Sequence, residues 1–331
     1  MTDTSQKPAA LGLTSGGLDS ILAAVLLQKQ NIQVTWLALE TPFFSTDKAR
    51  QAAEQLEIPL VVLDITAEYL PLLKNPPCGY GQHMNPCLDC HGLMTRIAGR
   101  IMAEEGYDFV FTGEVMGQRP MSQTRSSLRY VEKQSGIEGY LLRPLSARLL
   151  PETIPEQNGR VDRQRLLDLS GRSRKPQMTL AAQYGIRDFP SPGGGCLLTD
   201  KNFANRLRDL FNHQEDYASG DFFLLRHGRH FRLSEKTRLI VGRTRVDNQN
   251  LERHTPGGPV LRLKARDYPG PTCLLIGRPD EGELMLAAGI CAGYGKAPGD
   301  KPAAVTVEGK GKKRSISMLG LPPGKVRHLQ I

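Results

Sequence analysis

The sequence predicts an α/β fold: a doubly wound parallel sheet with a smaller, basic, β-rich domain after it. Three observations predict this. Through roughly the first 150 residues, short apolar runs alternate with segments of helical apolar spacing, the pattern of strands joined by crossover helices. The first of these strands ends in a glycine turn, on the side of such sheets where ligands bind. Charge is the third observation. Residues 221–331 carry 20 Lys+Arg against 10 Asp+Glu, a net of +10, and the remaining 23 and 24 leave residues 1–220 at −1.

Taken in order, residues 9–14 form an apolar strand ending at Ser15-Gly16-Gly17, and residues 18–30 have helical spacing at Leu18, Leu22, Val25 and Leu26. Residues 33–39 and 60–65 read as buried strands with a helix at 47–56 between them. A helix from His91 to Gly106, a strand at 108–112 and a last strand at 139–145 complete the sheet. Further on, 222–225, 238–241, 260–263, 272–276 and 303–307 are short strand-like runs between Gly/Pro turns. For 331 residues this gives a doubly wound core at 1–150, a helical extension at 151–219 and a basic domain at 220–331.

Composition excludes other classes. With 39% hydrophobic and 23% charged residues the chain reads as an ordinary soluble protein, and its most apolar stretch, 21–27, is too short to cross a bilayer. Residues 1–10 include Asp3, Lys7 and Pro8 and lack the pattern of a secretory signal. A cytoplasmic setting without a membrane partner follows. Six cysteines are too few for a disulfide scaffold, so clustered ones point to metal binding or catalysis.

Ser15-Gly16-Gly17-Leu18-Asp19-Ser20 puts two glycines and two flanking hydroxyls at a helix N-terminus. Glycines let backbone N–H groups approach a ligand, and the helix end favours anions, so a phosphate or pyrophosphate site is expected. An ordinary helix start capped by Ser15 is the plainer alternative. Cys87-Leu88-Asp89-Cys90 stands just before the helix at His91, and Cys196 follows Pro192-Gly193-Gly194-Gly195. Two cysteines three apart plus a distant third suit a three-thiolate site with one open position; a redox pair or a zinc half-site compete with it. Cys78 is near enough to be a fourth ligand, a resolving thiol or a bystander, whereas Cys273 and Cys291 sit in apolar settings as small buried side chains.

The six-residue loop resembles the Ser-Gly-Gly-x-Asp-Ser motif of the PP-loop ATP pyrophosphatases, which share the adenine nucleotide alpha hydrolase-like fold. That resemblance implies ATP and Mg²⁺, with Asp19 helping to hold Mg²⁺-pyrophosphate and Ser15, Gly16, Gly17 and Ser20 cradling phosphates. Thr112-Gly113-Glu114-Val115-Met116-Gly117-Gln118, followed by Ser122-Gln123-Thr124 and Leu141-Leu142-Arg143-Pro144-Leu145, resembles the adenylating domain of the tRNA 4-thiouridine synthetases. It adds Leu39, Gly113 and Gln118 to the implied nucleotide site, with His91 or Arg96 at the place of that family's nucleotide-contacting arginine. The segment 190–210 resembles the surroundings of the last cysteine in bacterial tRNA thiouridylases. Together these resemblances imply thiouridine formation: adenylation of a uridine carbonyl, then sulfur transfer, with Asp19, Cys87 and Cys196 catalytic. Cys87, Cys90 and Cys196 would bind a [4Fe-4S] cluster or carry a persulfide.

Residues 240–251 and 294–297 with 310–314 resemble the RNA-binding module of NFACT proteins. The implied partners are tRNA, a sulfur donor (a cysteine desulfurase persulfide or free sulfide) and a second copy of the chain in a homodimer. An N-type PP-loop ligase and a non-catalytic ATP-binding RNA- or ribosome-associated factor are the alternatives; the cysteines argue against the first, and ATP turnover separates the second.

Overall fold

Residues 7–189, 196–254 and 256–331 are described by the computed structural model, in which the chain divides into two units, Met1–Leu197 and Leu198–Ile331. The glycine run before Cys196 lies outside the described residues.

In the first unit the order is β1 (Ala9–Leu13), α1 (Leu18–Gln28), β2 (Gln33–Glu40), α2 (Asp47–Leu56), β3 (Leu60–Asp64), α3 (Thr66–Lys74), α4 (Cys87–Glu105), β4 (Phe109–Thr112), α5 (Arg125–Ser135), β5 (Leu141–Leu142), α6 (Ile154–Gln157) and α7 (Lys175–Gln183). The strands pair in parallel in the order β3-β2-β1-β4-β5. This is the doubly wound sheet that the alternation predicts. Its order reverses at β1, so a crevice opens beyond the carboxyl ends of β1 and β4. A strand covered on both faces has no polar face to show, which is why β4, Phe-Val-Phe-Thr, is apolar up to its last residue and buried throughout. Trp36, Phe109, Phe111 and Leu22 anchor the core at 0–1% exposure, and each buried Phe or Leu contributes about 1.5–3 kcal/mol. Gly12 makes room for Phe111, whose ring would lie 2.3 Å from an added Cβ.

Two boundaries differ from the sequence reading. α4 starts at Cys87 rather than His91, because the Pro86 carbonyl accepts the Cys90 N–H at 2.8 Å and begins the helix a turn earlier. β5 pairs over two residues only.

The second unit runs α8 (Lys201–His213), α9 (Ser219–Leu224), β6 (Arg229–Ser234), β7 (Thr237–Val241), α10 (Arg245–Arg253), β8 (Val260–Ala265), β9 (Cys273–Gly277), α11 (Glu281–Gly293), β10 (Ala303–Gly309) and β11 (Lys312–Met318). Its sheet is antiparallel, in the order β11-β10-β8-β9-β7-β6. One expected strand is corrected: Phe222 and Leu224 lie on α9, whose start is held by the Asp221 carboxylate accepting the Ala218 N–H at 3.0 Å. α11 covers one face, packing Leu284, Ala287 and Ile290 on Leu263, Leu275 and Val305. Leu224 and Leu251 cover the other over Ile240 and Leu274. Cys273 and Cys291 are buried in the first of these cores, as their apolar settings predict. The β10–β11 hairpin turns at Lys310 and Gly311 with φ of 48° and 74°, the left-handed geometry that matches strand twist. Among the described residues no helix is long and apolar enough to cross a membrane.

Candidate active site

The Ser15–Ser20 turn closes on itself before it can meet a ligand. Gly16 has φ +72°, and an added Cβ would sit 2.3 Å from the Lys48 backbone, so both conformation and space demand glycine. Thr14 Oγ1 accepts the Gly16 N–H at 3.0 Å and donates to Ser20 Oγ at 2.9 Å, and Ser20 Oγ donates to the Gly17 carbonyl at 2.8 Å. The Ser20 hydroxyl is thus used inside the turn, and Ser15 is exposed. Leu39 is buried near the end of β2, two residues beyond the Leu37–Leu13 pair.

Residues 112–118 pack against this turn. At Gly113 an added Cβ would lie 2.4 Å from the Ser20 nitrogen and 2.5 Å from the Asp19 carbonyl carbon, so the two loops touch backbone to backbone. Gln118 Nε2 donates to Asp19 Oδ2 at 2.8 Å, while Asp19 Oδ1 is buried with no hydrogen-bond partner. Asp19, Gly113 and Gln118 are therefore brought together. A bare carboxylate oxygen beside a helix N-terminus fits Mg²⁺, which proteins commonly hold through one or two carboxylates plus substrate phosphates.

One residue past Gly113 begins a second constellation. Glu114, 7% exposed, accepts from Arg143 Nε at 3.0 Å and from Thr112 Oγ1 at 3.1 Å, and lies 3.0 Å from His91 Nδ1. Arg143 is in turn fixed by Glu132 at 3.2 Å and the Leu128 carbonyl at 3.0 Å. Burial alone would raise Glu114, but the hydrogen bond from His91 and the charges of Arg143 and His91 bring it to about 2. Burial disfavours the His91 cation, yet hydrogen bonds to Cys87 and Glu114 outweigh it and raise the imidazole to about 10. The Cys87 thiol follows: burial would raise it, and the hydrogen bond and charge of His91, then Ser122 and Arg119, hold it below its ordinary value. A thiol lowered in this way gives up its proton more readily, and the thiolate is the reactive form.

Cys90 is the opposite. Burial, then the charge of Cys196, push it to about 12 despite a hydrogen bond with Tyr69, and Tyr69 is itself raised by burial and by Cys90 and Cys196. The three predicted cysteines therefore gather around Tyr69, near enough to sense one another's charge. Among the described residues, however, no three His, Cys, Asp or Glu side chains converge closely enough to hold one metal ion. The thiols suit iron–sulfur chemistry in kind, but as placed they do not form a closed ligand set. Cys78 stands apart, exposed, its Sγ 2.9 Å from the Tyr130 hydroxyl. Arg96 is exposed on α4, and His91 is engaged by Glu114.

Comparison with known proteins finds matches in both parts of the chain. Residues 5–148 match the family model described as thiamine biosynthesis protein (ThiI). This match covers just under half of the chain and takes in all five strands of the parallel sheet. Residues 228–328 match the NFACT protein RNA binding domain, so the chain joins the two modules that its motifs resemble. Similar curated proteins include the tRNA sulfurtransferase of Desulfurococcus amylolyticus, 30% identical over 145 residues, covering 41% of this chain and 29% of that protein. The probable tRNA sulfurtransferase of Finegoldia magna is 31% identical over 140 residues, covering 41% and 35%. The chain thus spans about a third of the length of these relatives. Among solved structures, a 4-thiouridine synthetase–RNA complex with bound ATP aligns at 20% identity and a TM-score of 0.35, covering 54% of this chain and 52% of that one. The C-terminal part of a fibronectin/fibrinogen-binding protein from Streptococcus suis aligns at 19% identity and a TM-score of 0.28, covering 32% and 50%.

Sequence reasoning did not find Glu114, Arg143 and Tyr69 as site residues, and gave His91 a nucleotide rather than a thiol. One signal was available: once the helix starts at Cys87, His91 is its i+4 neighbour on the same face.

Proposed function

We propose that this protein is an ATP-dependent tRNA sulfurtransferase that forms thiouridine by adenylating a uridine carbonyl and replacing its oxygen with sulfur. The observation that carries the reading is the junction at Gly113, where the loop against Asp19 continues directly into the Glu114–His91–Cys87 network. The match to ThiI at 5–148 and to an RNA-binding domain at 228–328 supports it.

A uridine oxygen attacks the α-phosphorus of ATP and pyrophosphate leaves toward the N–H groups at the start of α1, whose fixed dipoles suit the departing charge. Asp19 Oδ1 would hold Mg²⁺, which would neutralise the phosphates. Adenylation is needed because a carbonyl oxygen is a poor leaving group. In the second half a persulfide on Cys87 attacks the activated carbon, a C–S bond forms, the C–O bond breaks and AMP leaves. Cys196 thiolate then attacks Cys87 Sγ, freeing the thionucleoside and leaving a Cys87–Cys196 disulfide that a two-electron thiol reductant resets. Cys90, pushed to about 12, is a weaker nucleophile than Cys87 at neutral pH. The second reading is a [4Fe-4S] cluster on Cys87, Cys90 and Cys196, favoured by their gathering around Tyr69. The sulfur donor is a cysteine desulfurase persulfide in the first reading and free sulfide in the second. A cytoplasmic setting, where ATP and tRNA meet, goes with both.

The test is tRNA-dependent pyrophosphate release by the full chain, with mass spectrometry of nucleosides after adding ATP, Mg²⁺, a sulfur donor and unmodified tRNA. Pyrophosphate together with a thionucleoside is expected. Absence of both overturns the reading, and iron that is required for thiolation selects the cluster.

A further inference from the structure

α7 carries a residue that no motif singles out. Gln177, 1% exposed, donates from Nε2 to Gln118 Oε1 at 2.9 Å, and Gln118 Nε2 donates to Asp19 Oδ2 at 2.8 Å. The direction of this chain is forced. An ionised carboxylate only accepts, so Gln118 must turn its NH₂ toward Asp19, which leaves its oxygen for Gln177, and Gln177 must answer with its own NH₂. The relay ends at Gln177 Oε1, buried and without a partner, as is Asp19 Oδ1 at its other end. Backbone contacts hold the parts in place: the Gly171 N–H donates to the Met116 carbonyl at 2.8 Å, Met116 bridges Ser170, and α7 packs on α1.

We infer that Gln177 is a positioning residue for the nucleotide-bound metal: through Gln118 it fixes the Asp19 carboxylate so that Oδ1 faces the phosphate site as a bare ligand. Second-sphere partners of this kind orient metal ligands, and their loss weakens metal affinity by about 10- to 100-fold. The inference rests on reading Asp19 as the metal carboxylate of the proposed ATP site. Gln177→Glu is the sharp variant. Facing a carboxylate, Gln118 turns its NH₂ to residue 177 and presents an oxygen to Asp19, so the relay reverses and pushes the ligand away.

The experiment titrates Mn²⁺ into the full chain with ATP and follows bound manganese by electron paramagnetic resonance, with metal-free ATP affinity measured in parallel. In Gln177→Glu the manganese dissociation constant should rise about tenfold or more, with metal-free ATP affinity within about twofold of wild type. Gln177→Leu, which lacks both amide atoms, should show a smaller rise and serves if the glutamate variant does not fold. Unchanged manganese affinity in folded variants overturns the inference. So does an equal loss of metal-free ATP binding, the signature of a merely structural glutamine. Wild-type protein that binds neither ATP nor ATP-dependent manganese would instead remove the ATP reading itself.

Discussion

The Ser15–Ser20 loop and the thiol network meet at Gly113 but are built in opposite ways. The loop is six consecutive residues whose shape is set by backbone: Gly16 is forced by φ and by the Lys48 backbone, and the Ser20 hydroxyl is spent holding the turn. The thiol network is four side chains from different elements, Cys87 and His91 on α4, Glu114 after β4 and Arg143 after β5. In the first, the shape is preorganised by chain geometry, and Asp19 is the one side chain the proposed chemistry asks of it. In the second, each group's protonation depends on its neighbour, so a change at one end is felt at the other.

If the two regions are this different, Asp19→Ala should lower pyrophosphate release by about 100- to 1000-fold, the scale of a lost electrostatic contact at a reacting centre. The rate of Cys87 alkylation should not change. An equal drop in both rates would break the comparison. His91→Ala should do the reverse: Cys87 loses its cation, its thiol moves back up, and alkylation at pH 7 slows by about tenfold for each unit of that rise. Peptide mapping of the labelled protein reads this for Cys87 and for Cys90, which should stay unlabelled in both proteins. Gly113→Ala sits where the regions touch. Forcing a methyl against the Ser20 nitrogen should cost about 1–3 kcal/mol in chemical unfolding and, unlike the other two changes, should disturb both readouts.

A gentler probe is pH. Glu114, at about 2 when folded and 4.5 otherwise, contributes stability that is complete above pH 4.5 and is lost as pH falls toward 2. His91, raised from 6.5 to about 10, contributes stability that is complete below pH 6.5 and is lost as pH rises toward 10. Both contributions are whole only between about 4.5 and 6.5. Unfolding of the wild type should show a decline from pH 6.5 to 10 that His91→Gln flattens; an identical slope in the two proteins would contradict the imidazolium assignment. The smallest effect belongs to the second unit. Reversing Lys310, Lys312 and Lys313 should lower the slope of log K against log salt for tRNA by about 0.7–0.9 per lost phosphate contact, and Arg314, held by Glu281 at 3.0 Å, should matter less.

What could be read from sequence follows the same division. The parallel sheet, the turn at Ser15–Ser20 and the loop at Gly113 were legible because each is a contiguous run with its own local geometry. The Glu114–His91–Cys87 network was not, because Glu114 lies 23 residues from its histidine and meets it only when the sheet forms. Gln177 lies 59 residues from Gln118 and has no motif of its own. In the second unit, the apolar residues Phe222 and Leu224 suggested a strand, while the Asp221 carboxylate that starts a helix there was overlooked. α11 was hidden by Gly282, Gly289 and Gly293, although its start, Asp280 with Glu283, is a capping box visible in sequence.

The central place of β1 also sets a timetable. Its residues leave the ribosome before the rest of their sheet and find β2 within a few dozen residues, but the other edge of β1 has to wait for β4, with Ala10 pairing to Phe109. At common translation rates of about 5–20 residues per second that interval is roughly 5–20 s. Throughout it, a nascent chain holds an apolar strand with one edge unsatisfied, a template for unwanted pairing until β4 arrives. A codon change that slows elongation between Leu13 and Phe109 would lengthen this exposure without altering a single contact in the finished molecule.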